Sequence, residues 1–131
     1  APQGAGAIHV HPNGKFVYLT NRTFPASGPG ARTIAPGGEN SVAVFAIDQT
    51  TGEPRRIQNI DGKGIQLRTF AIDPSGRMLA VAGIMSAADG SLPAGIAVMR
   101  IGADGKLSFV RKYDVELGDK QQFWSGMVTL G

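Results

Sequence analysis

Three side chains in this chain of 131 residues have types and positions that suit chemistry: His9, Arg22 and Arg68. A guanidinium keeps its charge and offers paired donors, so the two arginines suit an anion or a polarised carbonyl oxygen. An imidazole is the usual proton carrier near neutral pH, so His9 suits proton transfer. These residues predict that an anionic small molecule is bound with a proton carrier near it.

Each of these residues also has an ordinary structural interpretation. His9 can be a hydrogen-bonded histidine of a strand, and Arg68 can pair with an aspartate of a neighbouring structural unit. Arg22 can be a solvated loop charge. His11 is predicted to cap the turn that begins at Pro12, and we expect no chemical role for it.

Two stretches of the sequence, 11–21 and 73–83, are versions of one pattern: a turn containing Pro and Gly, a basic residue and an apolar strand. The turn prolines, Pro12 and Pro74, are 62 residues apart. Short strands separated by turns, in units of about 50 residues, are typical of β-propeller blades, each with four antiparallel strands. The fold class predicted is therefore all-β, with few helices, because no apolar period of 3.6 residues persists.

The predicted inner strands of the two blades are 8–10 and 69–72, and the histidine and arginines are expected at the start of these strands or the end of the neighbouring one. Inner strands line the central channel of a propeller, where a ligand would bind. We expect one blade at about 7–68, a second at about 69–118, and part of a closing blade at 119–131.

Two blades and part of a third do not close a ring, because propellers typically have 4 to 8 blades. The chain is therefore expected to be a fragment of a larger propeller, which needs the remaining blades or self-association to close. It begins with Ala1 rather than Met, which agrees with a processed or truncated piece. Residues 24–39 are predicted to form a long loop, either a disordered insertion or a substrate lid.

Composition argues against several classes of partner. The net charge is +3 with basic residues scattered singly, so no nucleic-acid surface is predicted. No apolar run reaches the roughly 18 residues of a membrane span, and we expect no membrane partner. The chain has no cysteine and its aspartates are evenly spread, so no metal site is expected. It also lacks a glycine-rich phosphate loop between a strand and a helix, and no cofactor is predicted.

The repeated pieces resemble a known family. The stretch 11–21, followed by Asn40-Ser41-Val42-Ala43-Val44-Phe45 and Gly52, is similar to the lactonase family of seven-bladed propellers. Tyr18-Leu19-Thr20-Asn21 looks like the YVTN type of propeller repeat. The resemblance implies a C-terminal fragment of such a propeller, with Phe123-Trp124 near the closing blade.

The resemblance also implies an activity, the hydrolysis of a sugar lactone such as 6-phosphogluconolactone, in the carbohydrate metabolism of the pentose phosphate pathway. Members commonly place an Arg ahead of an inner strand, and Arg68 occupies that position, although Leu67 stands where the family has Pro. His9 and Arg68 would then be catalytic, and Arg22 with Arg68 would bind the substrate. A small-molecule lactone is the expected partner, and the expected location is the cytoplasm.

Two alternatives remain open at the level of sequence. A propeller can be a non-catalytic scaffold or ligand-binding module, because the fold alone does not decide function. A muconate-type lactonising cycloisomerase is the other alternative, although many such members carry Asn-Glu where this chain has Asn21-Arg22.

Overall fold

A computed structural model describes residues 2–24, 38–87, 89–118, 125–128 and 130, and the statements below concern these residues. They form two antiparallel sheets of four strands each, ordered β1-β2-β3-β4 and β5-β6-β7-β8. Each sheet is an up-and-down meander, the architecture of a propeller blade, which confirms the predicted fold class. The strands are β1 (Gln3–Val10), β2 (Phe16–Thr23), β3 (Ser41–Ile47), β4 (Pro54–Asp61), β5 (Ile65–Ile72), β6 (Met78–Met85), β7 (Gly95–Ile101) and β8 (Leu107–Asp114).

The repeated turns close the first hairpin of each sheet in the same way. The His11 amide donates to the Phe16 carbonyl, and the Asp73 amide donates to the Met78 carbonyl. The glycines of both turns have positive φ, 74° at Gly14 and 70° at Gly76. Glycine adopts this left-handed conformation without strain, which explains why the pattern repeats a glycine there.

The core lies between the two sheets. Tyr18, Val42 and Val44 are fully buried from the first sheet, and Leu79 and Met99 from the second. The apolar runs of β2, β3, β6 and β7 therefore bury one face against the other sheet, as neighbouring blades of a propeller do. Burial of this apolar area is the main force that holds the two sheets together.

The inner strands are longer than the sequence indicated. β1 begins at Gln3 and β5 at Ile65, whereas the sequence predicted inner strands from Ile8 and Thr69. The Gly-rich start of β1 resembled a loop, but Gly6 lies where β1 approaches β5 most closely. A Cβ atom there would collide with the Thr20 hydroxyl and the Leu67 carbonyl. The two sheets occupy residues 3–61 and 65–114, joined by a link of three residues.

Polar side chains of the first sheet cross the seam to the backbone of the second sheet. The His11 ring bonds the Gly76 carbonyl at 2.8 Å, and the Tyr18 hydroxyl donates to the Gly105 carbonyl at 2.8 Å. Gln58 bonds the backbone of Leu107 twice: its Nε2 donates to the carbonyl at 2.8 Å, and its Oε1 accepts from the amide at 2.7 Å. The seam thus combines apolar packing with specific polar contacts along its whole width.

The predicted closing blade at 119–131 lies largely outside the described residues, as do Phe123-Trp124 and most of the long loop predicted at 24–39. Ser125 is described, and its hydroxyl lies 2.8 Å from that of Thr69 on β5. Within the described ranges, no helix has the length and apolarity that crossing a membrane requires.

Candidate active site

Arg22 lies near the end of β2, opposite Gly4 at the start of β1. Its Nε donates to the Ala5 carbonyl at 3.1 Å, and its guanidinium lies 4.7 Å from the centroid of the Phe24 ring. A hydrogen bond and a cation–π contact fix the plane of a guanidinium better than solvent does. The alternative of a solvated loop charge is therefore wrong for Arg22, because the residue is half-buried on a strand.

Arg68 lies in β5, at a break in the pairing with β6. Leu67 pairs with Gly83 and Thr69 pairs with Ala82, so Arg68 is the extra residue of a β-bulge. Two positions earlier, Gln66 is buried and has a φ of 56°. Bulges re-aim a side chain and are frequent beside active sites. The backbone around Arg68 is thus irregular at the position where the sequence placed an anion ligand.

The two arginines lie on strands that contact each other across the seam, Arg22 on β2 and Arg68 on β5. The Arg22 Nε is bonded to Ala5, and the Leu67 carbonyl, next to Arg68, lies against Gly6. Partial burial, and after it the positive charge of Arg68, lower the pKa of Arg22 from its ordinary value. Two guanidiniums repel each other, and a bound anion offsets that repulsion because it attracts both. The arrangement is suited to hold a phosphate or a developing oxyanion from two sides.

His9 is placed differently from the expectation. It is the last but one residue of β1, not the first, and it pairs with Tyr18. Five residues of strand separate it from the level of Arg22, about 16 Å. Its ring contacts the edge of Phe70 on β5, with centroids 4.7 Å apart. Phe70 follows Arg68 by two residues on β5.

Arg22 and Arg68 thus lie on two strands that contact each other, β2 and β5, whereas His9 lies towards the other end of β1. The position predicted for His9 was wrong because its strand starts five residues earlier than the apolar pattern showed. His11 does cap its turn, since its Nδ1 accepts from the Asn13 amide at 3.0 Å. An amide can only donate, so the proton of the neutral ring is on Nε2 and is donated to Gly76.

Glu39 is a carboxylate that the sequence did not single out. Its Oε1 accepts hydrogen bonds from Ser41 at 2.6 Å, Asn59 at 2.8 Å and Asn21 at 3.3 Å. The hydrogen bond from Ser41, and then that from Asn59, lower the pKa of Glu39 below its ordinary value. Asn21 alternates with Arg22 along β2, so its side chain leaves the opposite face of the sheet. Glu39 thus lies on the face turned away from the second sheet.

Within the described part of the chain, no three His, Asp or Glu residues are grouped as a metal site. The chemistry that suits these side chains is anion binding by the guanidiniums of Arg22 and Arg68.

Comparison with known proteins agrees with this fold. The family model described as "Lactonase, 7-bladed beta-propeller" matches residues 1–89. A protein named 6-phosphogluconolactonase from Formosa agariphila is 39% identical over 75 residues, which are 57% of this chain and 18% of that protein. One of the same name from Bacillus subtilis is 33% identical over 69 residues, 53% of this chain and 16% of that protein.

Solved structures show the same architecture. A protein from Bacteroides fragilis superposes with a TM-score of 0.62 at 26% identity, covering 91% of this chain and 27% of the other. The periplasmic gluconolactonase of Pseudomonas aeruginosa gives a TM-score of 0.63 at 22% identity, covering 92% and 27%. This chain therefore spans about a quarter of each of these structures and less than a fifth of each curated relative. With two blades in the geometry of these propellers and a family match over more than half its length, the chain belongs to the lactonase family of seven-bladed β-propellers.

Proposed function

We propose that this chain is part of a lactonase that hydrolyses a sugar lactone, with 6-phosphogluconolactone as its substrate. The observation that carries the proposal is the placement of Arg22 near the end of β2 and of Arg68 on the bulge of β5, two strands that contact each other across the seam. The relatives matched in sequence are named for this activity. Their name favours hydrolysis over the scaffold and the cycloisomerase alternatives.

In this proposal Arg22 and Arg68 bind the substrate. Lactone hydrolysis passes through a tetrahedral intermediate whose oxyanion needs donors, and a phosphosugar adds a dianionic group to be held. The Arg22 Nε is already bonded to Ala5, which orients the rest of its guanidinium. Arg68, on the bulge, faces the same anion from the next blade and stabilises the oxyanion. His9 lies five strand residues from the level of Arg22, beyond the hydrogen-bond reach that proton transfer to the same bound group needs, so the proposal gives it no step.

The proposal includes a cytoplasmic location. A sugar phosphate is charged and does not cross a lipid bilayer unaided, so an enzyme that consumes it is best placed where it is made. Cell fractionation of the native organism checks this part independently of the activity. Recovery of the protein in an extracytoplasmic fraction would contradict it.

Arg68→Ala in the full-length protein tests the activity. Each hydrogen bond between a guanidinium and a charged oxygen contributes about 1.5 to 3 kcal/mol, so we expect kcat/KM for the phosphorylated lactone to fall about 10- to 100-fold. Arg77→Ala is the matched control, because Arg77 is exposed at the turn before β6 and its guanidinium bonds the Ser75 hydroxyl of that turn. Rates are measured against spontaneous hydrolysis of the lactone.

Two results would contradict the proposal. A full-length protein that leaves the spontaneous rate unchanged is not a lactonase for that substrate. Equal losses for Arg68→Ala and Arg77→Ala would show that the effect is general rather than local to the inner strands.

A further inference from the structure

The side chain of Asn40 joins the two strands that carry the arginines. Its Oδ1 accepts from the Thr23 amide at 3.2 Å and from the Gln66 amide at 2.8 Å. Its Nδ2 donates to the Thr23 hydroxyl at 3.0 Å. Thr23 follows Arg22 directly, and Gln66 precedes Arg68 by two residues. One amide side chain therefore bonds the backbone beside both guanidiniums.

Thr23 and Gln66, whose backbone amides donate to Asn40, are both buried. Thr23 is 1% exposed and Gln66 is 7% exposed, so water has poor access to their amides. A buried amide without an acceptor is costly, and Asn40 supplies the acceptor for both. The Asn40 carbonyl also accepts from the Gly62 amide at 3.0 Å, which ties the link between the sheets to the same residue.

The bond to Gln66 holds an unfavourable backbone conformation. Gln66 has a φ of 56°, in the left-handed region that side chains other than Gly rarely adopt. Such a conformation persists only when its surroundings fix it, and it occurs often at functional sites. Without the Asn40 oxygen, Gln66 can relax, and the bulge that sets the direction of Arg68 can shift with it.

We propose that Asn40 is a positioning residue that sets the separation of Arg22 and Arg68, and thereby the affinity of the site for a phosphate group. The proposal rests on the proposed function for the identity of the substrate. The anion site itself can be measured without it. Asn40 acts only through the two arginines and touches no substrate.

The test is calorimetric binding of inorganic phosphate to the full-length protein, in four variants that form a cycle between Asn40 and Arg68. Asn40→Leu keeps the size of the side chain and removes both acceptor bonds, and we expect phosphate affinity to fall about tenfold. In the Arg68→Ala background the same change is expected to have almost no further effect, because residues that act as a unit are not additive. A purely structural role would give losses that add.

Asn13→Leu is the matched control. Asn13 lies in the turn at the far end of β1 and β2, and its Oδ1 accepts from the Lys15 amide at 2.9 Å. We expect this variant to lose stability but to keep its phosphate affinity. If Asn40→Leu does not fold, Asn40→Ser is measured instead, because its hydroxyl can accept one of the two amides; its expected loss is about threefold.

Unchanged phosphate affinity in the Asn40 variants, additive losses in the cycle, or no phosphate binding by the wild-type protein would each overturn the proposal. If the proposed function is wrong but the positioning role of Asn40 is right, the measurements give a different result. In that case phosphate binding and the coupling of Asn40 to Arg68 remain, while lactone hydrolysis stays at the spontaneous rate.

Discussion

Tyr18 shows how a single buried polar group is satisfied at the seam. Its side chain is fully buried, and its hydroxyl donates to the Gly105 carbonyl of the second sheet. Burial, and then the charge of Asp104, raise the pKa of Tyr18 to about 12. The phenol therefore stays protonated and keeps its hydrogen bond over the whole physiological range of pH.

This shift predicts how stability depends on alkaline pH. An unfolded tyrosine ionises near 10.0 and Tyr18 in the native protein near about 12, so the native state holds the proton more tightly. The contribution to stability is complete below pH 10 and is lost as the pH rises through the native pKa. Unfolding free energies measured between these pH values should decline more steeply for the wild-type protein than for Tyr18→Phe. Parallel curves for the two proteins would contradict the shift.

Residues with distant partners were the ones that sequence reasoning could not place. Asn40 bonds residues 17 and 26 positions away, and nothing in its neighbourhood marks it as different from any polar residue before a strand. Arg22 and Arg68 were identified because their residue type limits their chemistry. The bulge at Arg68 and the left-handed conformation of Gln66, however, follow from no period in the sequence.

At the scale of the element, the outer strands β4 and β8 are joined by the side-chain amide of Gln58, which forms the same two hydrogen bonds as a backbone peptide group. Gln58 on β4 donates to and accepts from Leu107 at the start of β8, as a neighbouring strand would. The outer strands of propeller blades diverge, so backbone groups cannot pair directly there. An amide side chain covers that distance.

Gln58→Leu is expected to destabilise the full-length protein by about 2 kcal/mol, because two backbone groups of Leu107 lose partners at about 1 kcal/mol each. Gln49→Leu is the control of the same chemistry. Gln49 is exposed and bonds only within the first sheet, to Ile47 at 2.8 Å and Gly14 at 3.4 Å, so a loss below about 0.5 kcal/mol is expected. Denaturant unfolding measures both. Equal losses would mean that Gln58 does not hold the seam.

The strands themselves were largely predictable, and their ends were not. Short apolar runs and the turns with Pro and Gly indicated the strands from Phe16 onward in each blade, because burial against a neighbouring sheet selects continuous apolar residues. The beginnings of β1 and β5 were missed because close approach of the strands there selects Gly6 and polar residues. A strand is hardest to recognise in the sequence where its residues are selected for function or for close backbone approach rather than for apolar packing.

At the scale of the whole molecule, β1 of the first sheet carries exposed apolar side chains. Ile8 is 64% exposed and Val10 is 58% exposed, although both belong to an apolar strand. In a closed propeller, side chains of this kind contact the blades on either side. Two blades alone therefore leave apolar surface that favours association.

The chain of 131 residues, purified alone, should self-associate and should not hydrolyse lactone above the spontaneous rate. The full-length protein should be monomeric in its propeller domain and active. Light scattering and the lactone assay, applied to both proteins at equal concentration, check this. A monomeric and active two-blade chain would show that the ring is unnecessary.

The link of residues 62–64 has a consequence for how such a ring is assembled. Only three residues separate β4 from β5. The effective concentration of one sheet relative to the other is therefore very high. Docking the second sheet therefore does not lose the translational freedom that two separate molecules lose on association, about 4 to 15 kcal/mol. The same contacts therefore stabilise the seam more within one chain than they would between two separate chains. Continuity of the backbone, as much as the quality of the contacts, makes adjacent blades a single body.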